Sequence, residues 1–472
     1  MRNMHANRGA RLTGPRQIMK WTLWHAYCVH LGKITFFGSA MNLFSYPTYQ
    51  AVADMMRPLR ALADFSRVSL NAWPELAASP YGRNTQAACE WLALAGLSHR
   101  RPAFGIESVT DTAHGPVAVT EEIAYQTPFC SLLHFKKSLE VVQPRVLMIA
   151  PMSGHFATLL RGTVRTMLAD HDVYITDWHN PRDISLEHGR FGFDEYVAHV
   201  TACIEAIGPG AHVMAICQPT VAALAAVSLM AAHDHPAQPG SMTLMAGPLD
   251  TRVNPSSVNH LAKSKPIEWF EQKLISAVPM GFAGAHRRVY PGFVQLAAFM
   301  AMNAERHRES LGDMVRERAK GDPEKAKAVR LFYEEYFATM DLTAEFYLET
   351  VVTIFQKHAL PLGELTVFGE RVDPSLIRRT ALLTVEGEKD DICSVGQTLA
   401  AQDMCSRLRP YMKTHHVQTG VGHYGVFNGR RWENQIYPRV RAMIHENDAS
   451  AVPAQVRSRP ASGLHEYLLA TR

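Results

Sequence analysis

The sequence predicts a doubly wound, mostly parallel α/β sheet, and three observations carry that prediction. Short unbroken apolar runs recur through the middle of the chain: RVLMIA at Arg145–Ala150, DVYITDW at Asp172–Trp178, HVMAIC at His212–Cys217 and SMTLMAG at Ser241–Gly247. A strand buried on both faces reads this way, because side chains on either face meet a covering layer of helices. Helical patterns lie between the runs. Tyr196, Val197, Val200, Cys203, Ile204 and Ile207 share one face of a segment that Asp194 is placed to cap, and Val221–Ala232 is apolar all round, as a fully buried helix should be. The alternation then stops after Gly247 and resumes only with RTALLTVEG at Arg379–Gly387 and HHVQTG at His415–Gly420. About a hundred residues is too long for a connecting loop, so an insertion is expected there.

The remaining elements follow in order. Residues 1–100 read as an N-terminal extension and helical arm, in which Val52, Met55, Met56, Leu59, Leu62 and Ala63 recur at helical spacing to pack the arm down, with Pro58 ending one helix and opening another. The basic start and WTLWHAYCVHLGKITFFGSA imitate an export signal, but His25, His30 and Lys33 interrupt the apolar run. Residues 1–40 read instead as an upstream extension, with Met41 a second candidate start. Residues 101–250 form the first part of the core, opening on the antiparallel-looking VAVTEEIAYQTPF around Val117–Phe129. Residues 251–360 form the insertion, whose segments IEWFEQKLISAV, FVQLAAFMAMNAERH, PEKAKAVRLFYEEYF and LTAEFYLETVVTIFQKHAL show amphipathic helical spacing. Residues 361–447 complete the core, closing with a helix from about Arg431 to His445, and 448–472 read as a flexible tail.

Composition narrows the function classes. The 48 Lys+Arg against 44 Asp+Glu leave +4, far from the excess of a nucleic-acid binder. The seven cysteines (Cys28, Cys89, Cys130, Cys203, Cys217, Cys393 and Cys405) are odd in number and show no C-x-x-C or zinc-ligand spacing, which points to a reducing, cytoplasmic setting. No segment reaches the roughly 18 uninterrupted apolar residues of a membrane span.

The chemistry is expected where HVMAIC meets Val221–Ala232. Cys217 in Ala215-Ile216-Cys217-Gln218-Pro219 sits between strand and helix, as in a nucleophile elbow, which lifts a reactive side chain above the sheet on a strained turn. Pro219 stands where glycine is usual but suits a first helical turn. A thiol beside a helix N-terminus also gains thiolate character. In the α/β-hydrolase fold the acid and the histidine follow on loops after later strands. Gly387-Glu388-Lys389-Asp390-Asp391 and Gly422-His423-Tyr424-Gly425 occupy those places. Either aspartate can reach an imidazole from there; Asp390 is preferred. His423, on a glycine-flanked loop, is a better base than His415 or His416, which lie on the strand itself. The Gln218 N–H and that of Met152 or Ser153, in the turn Pro151–His155, would form the oxyanion hole.

At these residues the sequence resembles the intracellular poly(3-hydroxybutyrate) depolymerases. RPAFGIESV, VTEEIAYQTPFC, APMSGHFATLLRGTV, VYITDWHNPRD, AICQP, LMAGPLDTRVNP, TVEGEKDDI and GVGHYGVFNGRRW, spread from about Arg101 to His445, carry the resemblance. It implies an α/β-hydrolase fold with a helical lid, and it assigns the catalytic cysteine, aspartate and histidine to Cys217, Asp390 and His423. It further implies that the storage-granule surface is the partner, that the location is cytoplasmic and granule-associated, and that no cofactor or metal is needed. Either water or a thiol such as coenzyme A would be the acyl acceptor. Asp390-Asp391-Ile392 and the His423 loop are also similar to polyhydroxyalkanoate synthases. A synthase-like acyltransferase is therefore one alternative, and an inert granule-binding protein another. Oligomeric state and side-chain preference leave no mark in the sequence.

Overall fold

The computed structural model describes residues 45–448, except 141, 303 and 322. The expectations for residues 1–40 and for the tail beyond Asp448 fall outside the described residues.

Nine strands among the described residues form one sheet: β1 Ser108–Asp111, β2 Gly115–Gln126, β3 Cys130–Lys137, β4 Arg145–Ile149, β5 Asp172–Trp178, β6 His212–Ile216, β7 Ser241–Met245, β8 Ala381–Gly387 and β9 Lys413–Gln418. Their order is β1-β2-β3-β5-β4-β6-β7-β8-β9. β1, β2 and β3 pair antiparallel, as does β3 with β5. From β5 to β9 every neighbour is parallel. β6, β7 and β8 are buried along their whole length, and among the parallel strands only the edge strand β9 is largely half-exposed. This is the α/β-hydrolase fold, with the loops that matter gathered at the carboxyl ends of the parallel strands.

The helices used below are α1 Tyr46–Asn71, α2 Pro80–Leu94, α3 Phe193–Ile207, α4 Thr220–Ala232, α5 Gly292–Met302, α6 Ala304–Lys320, α7 Pro323–Tyr336, α8 Ala344–Thr350 and α9 Tyr437–Glu446. α4 follows Cys217 and is buried from Thr220 to Met230, which accounts for its uniform composition. Local signals misled in four places. α3 starts at Phe193 with Gly192 at its cap, because Glu195 reaches back to accept the Gly192 N–H at 2.7 Å. Asp194 instead accepts the Phe368 N–H at 2.9 Å, tying α3 to the segment before β8. α1 runs unbroken through Pro58; the lost hydrogen bond falls on the exposed Asp54 side of the helix, where it costs least. Its apolar residues do not pack the arm down: Val52, Met55, Leu59 and Leu62 are exposed, and only Tyr46 and Ala63 are buried. Finally, the helix of LTAEFYLETVVTIFQ starts two residues late: Leu342–Thr343 joins Ser276–Ala277 and Arg288–Tyr290 in a small antiparallel sheet, and α8 then runs on without a break into a π-helical stretch at Val351–Gln356.

The arm and the insertion share a core. Leu94 of α2 packs with Leu296, Leu311, Met314, Ala326, Tyr333 and Tyr336 from α5, α6 and α7. Tyr46 anchors the start of α1 by donating its hydroxyl to Asp341 at 2.7 Å.

Candidate active site

Cys217 occupies the turn between β6 and α4 with φ at +67°, a left-handed conformation that costs an L-residue on the order of 1 kcal/mol. Hydrogen bonds hold it there. Its N–H donates to Met245 on β7 at 2.8 Å, while its carbonyl accepts from the Thr220 N–H (3.2 Å) and hydroxyl (2.9 Å). The crowding that a glycine after the nucleophile would relieve is relieved instead by Gly247, where a Cβ would stand 2.0 Å from Thr220 Oγ1. Pro219 lies at the α4 cap with φ at −68°, where no N–H is required.

The acid and histidine loops meet beside it. Asp390 is buried, and its carboxylate is fully engaged: Oδ1 accepts the Ile392 and Cys393 N–H groups at 2.9 and 2.8 Å, and Oδ2 accepts His423 Nδ1–H at 2.8 Å. Asp391 is exposed. Of the two aspartates, only Asp390 is bonded to His423 among the described residues. With Nδ1 so occupied, Nε2 of His423 is the ring atom turned to Cys217. The Cys217 sulfur, the Cys393 sulfur and the His423 ring nitrogen all lie within 4.8 Å of one another.

The electrostatics favour a charged pair. A hydrogen bond with Cys393 and then the charge and hydrogen bond of His423 pull the Cys217 thiol well below its ordinary value, against burial. Burial opposes charge on His423, but the Cys217 sulfur and Asp390 outweigh it and raise that ring well above the usual histidine range. Cys393 moves the other way, raised by its hydrogen bond with Cys217 and by burial. It is the thiol that keeps its proton and donates.

The expected oxyanion elements are adjacent. The Met152 N–H points at Gln218 Oε1, 3.4 Å away, and Ser153 is half-buried beside it. Gln218 Nε2 is buried with no hydrogen-bond partner among the described residues. The Gln218 carboxamide oxygen thus sits on the N–H that would receive a developing oxyanion. The insertion clamps this turn. Gly154 has φ at +90° and would meet the Gln295 side chain at 2.7 Å if it carried a Cβ. The Gly154 carbonyl accepts the Met340 N–H at 3.0 Å, and His155 Nε2–H donates to the Tyr336 carbonyl at 3.2 Å. The cluster that holds Tyr336 also packs against Tyr424, next to His423.

Three functional contributions escaped sequence reasoning. Cys393 was counted only among seven cysteines, although its place three residues after Asp390 was a usable signal. Glu386, fully buried at the end of β8, accepts N–H groups of Gly396, Thr398 and Leu399 at 2.7–3.0 Å and so shapes the loop that carries Asp390 and Cys393. The side chain of Gln218 was not considered. Elsewhere, a cleft of about 880 Å³ beside β5 is lined by His99, Arg101, Asp177 and His179 together with Phe156 and Trp178. It contains none of Cys217, Asp390 and His423, and burial pushes Asp177 there up to about 7.

No curated protein sequence matches the chain. Among solved structures, an α/β hydrolase, GrgF, from Penicillium sp. sh18 is 13% identical with a TM-score of 0.40, covering 71% of this chain and 99% of that one. An esterase from Thermogutta terrifontis is 10% identical with a TM-score of 0.35, over 72% and 98%. The esterase RhEst1 from Rhodococcus sp. ECU1013 is 13% identical with a TM-score of 0.36, over 70% and 99%. The fold assignment rests on strand order and elbow, independently of these. A family model described as PHB de-polymerase C-terminus matches residues 246–448, the segment holding Asp390, Cys393 and His423. Through that segment, less than half of its length, the chain is similar to the PHB depolymerase family.

Proposed function

We propose that this protein hydrolyses the ester bonds of poly(3-hydroxybutyrate) in storage granules, releasing 3-hydroxybutyrate and its oligomers, with Cys217 as nucleophile, His423 as general base and Asp390 as its orienting acid. The observation that carries the reading is the Cys217–His423–Asp390 line, built on a left-handed elbow and assembled in the chain order of an α/β-hydrolase.

His423 holds the proton of Cys217, and the thiolate attacks an ester carbonyl of the polymer. The oxyanion that forms displaces Gln218 Oε1 from the Met152 N–H and takes a second hydrogen bond from the Gln218 N–H. His423 then delivers its proton to the departing hydroxyl, leaving a 3-hydroxybutyryl thioester on Cys217. Water, or the thiol of coenzyme A, gives up a proton to the same ring and releases the acyl group. No step calls for a metal or cofactor. The insertion, seated over the Pro151–His155 turn, would exclude bulk water from the acylation step. The described cysteines are free thiols, and no described helix is long and apolar enough to cross a membrane, both of which fit a granule-associated enzyme of the cytoplasm.

The test is incubation with amorphous polyester granules, with and without coenzyme A, and product identification by mass spectrometry. Wild type should release 3-hydroxybutyrate or its oligomers, and Cys217→Ala should lose at least about 10³-fold in rate. Equal release by both proteins would refute the triad. Polymer growth from 3-hydroxybutyryl-CoA without release would establish the acyltransferase alternative.

A further inference from the structure

We propose that Cys217, Cys393 and His423 form a binding site for a thiophilic divalent cation, Zn²⁺ in the first instance, whose occupancy silences the Cys217 nucleophile. The second half of that statement rests on the functional reading above; the site itself does not.

Three donors of the kind zinc prefers converge from three separate loops. Their ligand atoms lie within 4.8 Å of one another, and both Cys393 and His423 are more than nine-tenths buried. Sulfur and nitrogen donors around a tetrahedral zinc stand roughly 3.5–3.8 Å apart, given bonds of about 2.3 Å to sulfur and 2.0–2.1 Å to nitrogen. Small rotations of the two cysteine side chains bridge the difference. A second, independent feature is the Asp390–His423 hydrogen bond. A histidine whose Nδ1–H is held by a carboxylate keeps Nε2 correctly oriented to bind a metal once that atom gives up its proton, which is the outer-sphere arrangement that metal-bound histidines use. The polar groups needed for general-base catalysis thus also make His423 a metal ligand.

Two cysteines and one histidine leave a fourth position open. Cys217 is the partly exposed member, so that position faces the substrate side, where water completes the tetrahedron. Binding forms two zinc–sulfur bonds and one zinc–nitrogen bond, and two protons leave to solvent, one from the Cys393 thiol and one from the His423 ring that held the Cys217 proton. Two thiolates neutralise the ion, and Asp390 supports the ring behind it. With its lone pair on the metal, Cys217 cannot attack a carbonyl and His423 cannot take a proton. The spacing of 217, 393 and 423 in the chain explains why no zinc motif is visible in the sequence.

The experiment uses the full chain, stripped with a chelator and kept reduced, titrated with Cd²⁺, whose bonds to thiolate give a charge-transfer band in the ultraviolet. One equivalent should bind with the intensity of two thiolates, and Zn²⁺ should displace it. Cys217→Ser and Cys393→Ser should each lose about half of the band and weaken binding by at least about 100-fold. Asp390→Asn should keep the two-thiolate band and weaken binding by about 10–100-fold. Zn²⁺ should also stop ester turnover by wild type, and a chelator should restore it. Absence of stoichiometric binding at micromolar Cd²⁺, or a band untouched by both cysteine substitutions, would overturn the site. The titration needs no catalysis. Binding through these donors without ester turnover would sink the functional reading alone, and turnover without the band would sink this inference alone.

Discussion

His155, His171 and His199 are buried rings, and burial holds them at about 4, 3 and 4 respectively, far below an ordinary histidine. The unfolded chain protonates all three near pH 6.5 while the folded chain does not, so the stability they contribute is complete above that pH and is lost as pH falls from 6.5 toward 4. Between pH 7 and pH 5 the three together cost about 6 kcal/mol. Asp177 works in the opposite direction. Its carboxyl, raised to about 7 chiefly by burial, regains its proton in the folded state over the same interval and returns about 2 kcal/mol. His99, lowered by burial to about 3, adds to the loss, and Asp341, raised by burial to about 6, offsets most of that addition, so the net loss is about 4 kcal/mol, a substantial fraction of the 5–15 kcal/mol typical of a folded protein. Thermal unfolding followed by circular dichroism at pH 7, 6 and 5 should show the midpoint falling, most steeply below pH 6. His171→Phe keeps a ring and discards the proton, so it should flatten the acid slope by about 1.4 kcal/mol per pH unit. A midpoint that held constant or rose from pH 7 to pH 5, or a His171→Phe slope equal to wild type, would refute the reasoning.

Other perturbations test the site. Glu386→Gln removes the charge that draws in three backbone N–H groups, so it should cost about 2 kcal/mol and lower turnover by displacing the Asp390 loop, read as a lower unfolding midpoint together with a lower kcat. Gly247→Ala drives a methyl into Thr220 at the elbow and should destabilise by about 1–3 kcal/mol; a variant as stable as wild type would contradict the crowding described there. Gln218→Ala frees the Met152 N–H before substrate arrives while leaving both backbone donors in place, so steady-state kinetics should show kcat within about tenfold of wild type. A loss as large as that of Cys217→Ala would mean the carboxamide takes part directly in the chemistry.

Much of the fold was legible because burial on two faces leaves a plain signature. β6, β7 and β8 are buried throughout and mostly apolar, and α4 is apolar because it is enclosed. Cys217 could be picked out because an elbow is a local event between two such elements. Local signals failed where a longer-range partner outvoted them: Asp194 is a good cap by type, but Glu195 closes the turn and Phe368 claims the aspartate. Pairing between separate loops was beyond reach. Nothing in the chain says that Cys393 returns to Cys217 or that Glu386 gathers Gly396, Thr398 and Leu399, because those contacts exist only once the Asp390 loop has folded back over β8. The strands at Ser276–Ala277, Arg288–Tyr290 and Leu342–Thr343 are too short to show periodicity. The shared core of α2, α5, α6 and α7 joins segments two hundred residues apart, and their patterns reveal an apolar face without naming its partner.

Tyr336 belongs to the insertion, yet it meets the core twice: its carbonyl accepts from His155 in the Pro151–His155 turn, and its hydrophobic cluster packs against Tyr424 beside His423. A cover that swung away as a rigid flap would pull on both places together and take the reaction apart while exposing it. Under the function proposed above, a polymer chain would be fed in from the rim with Tyr336 seated, or be admitted during a pause in which no bond can be cut. Entry and cleavage would then both hang on the same tyrosine.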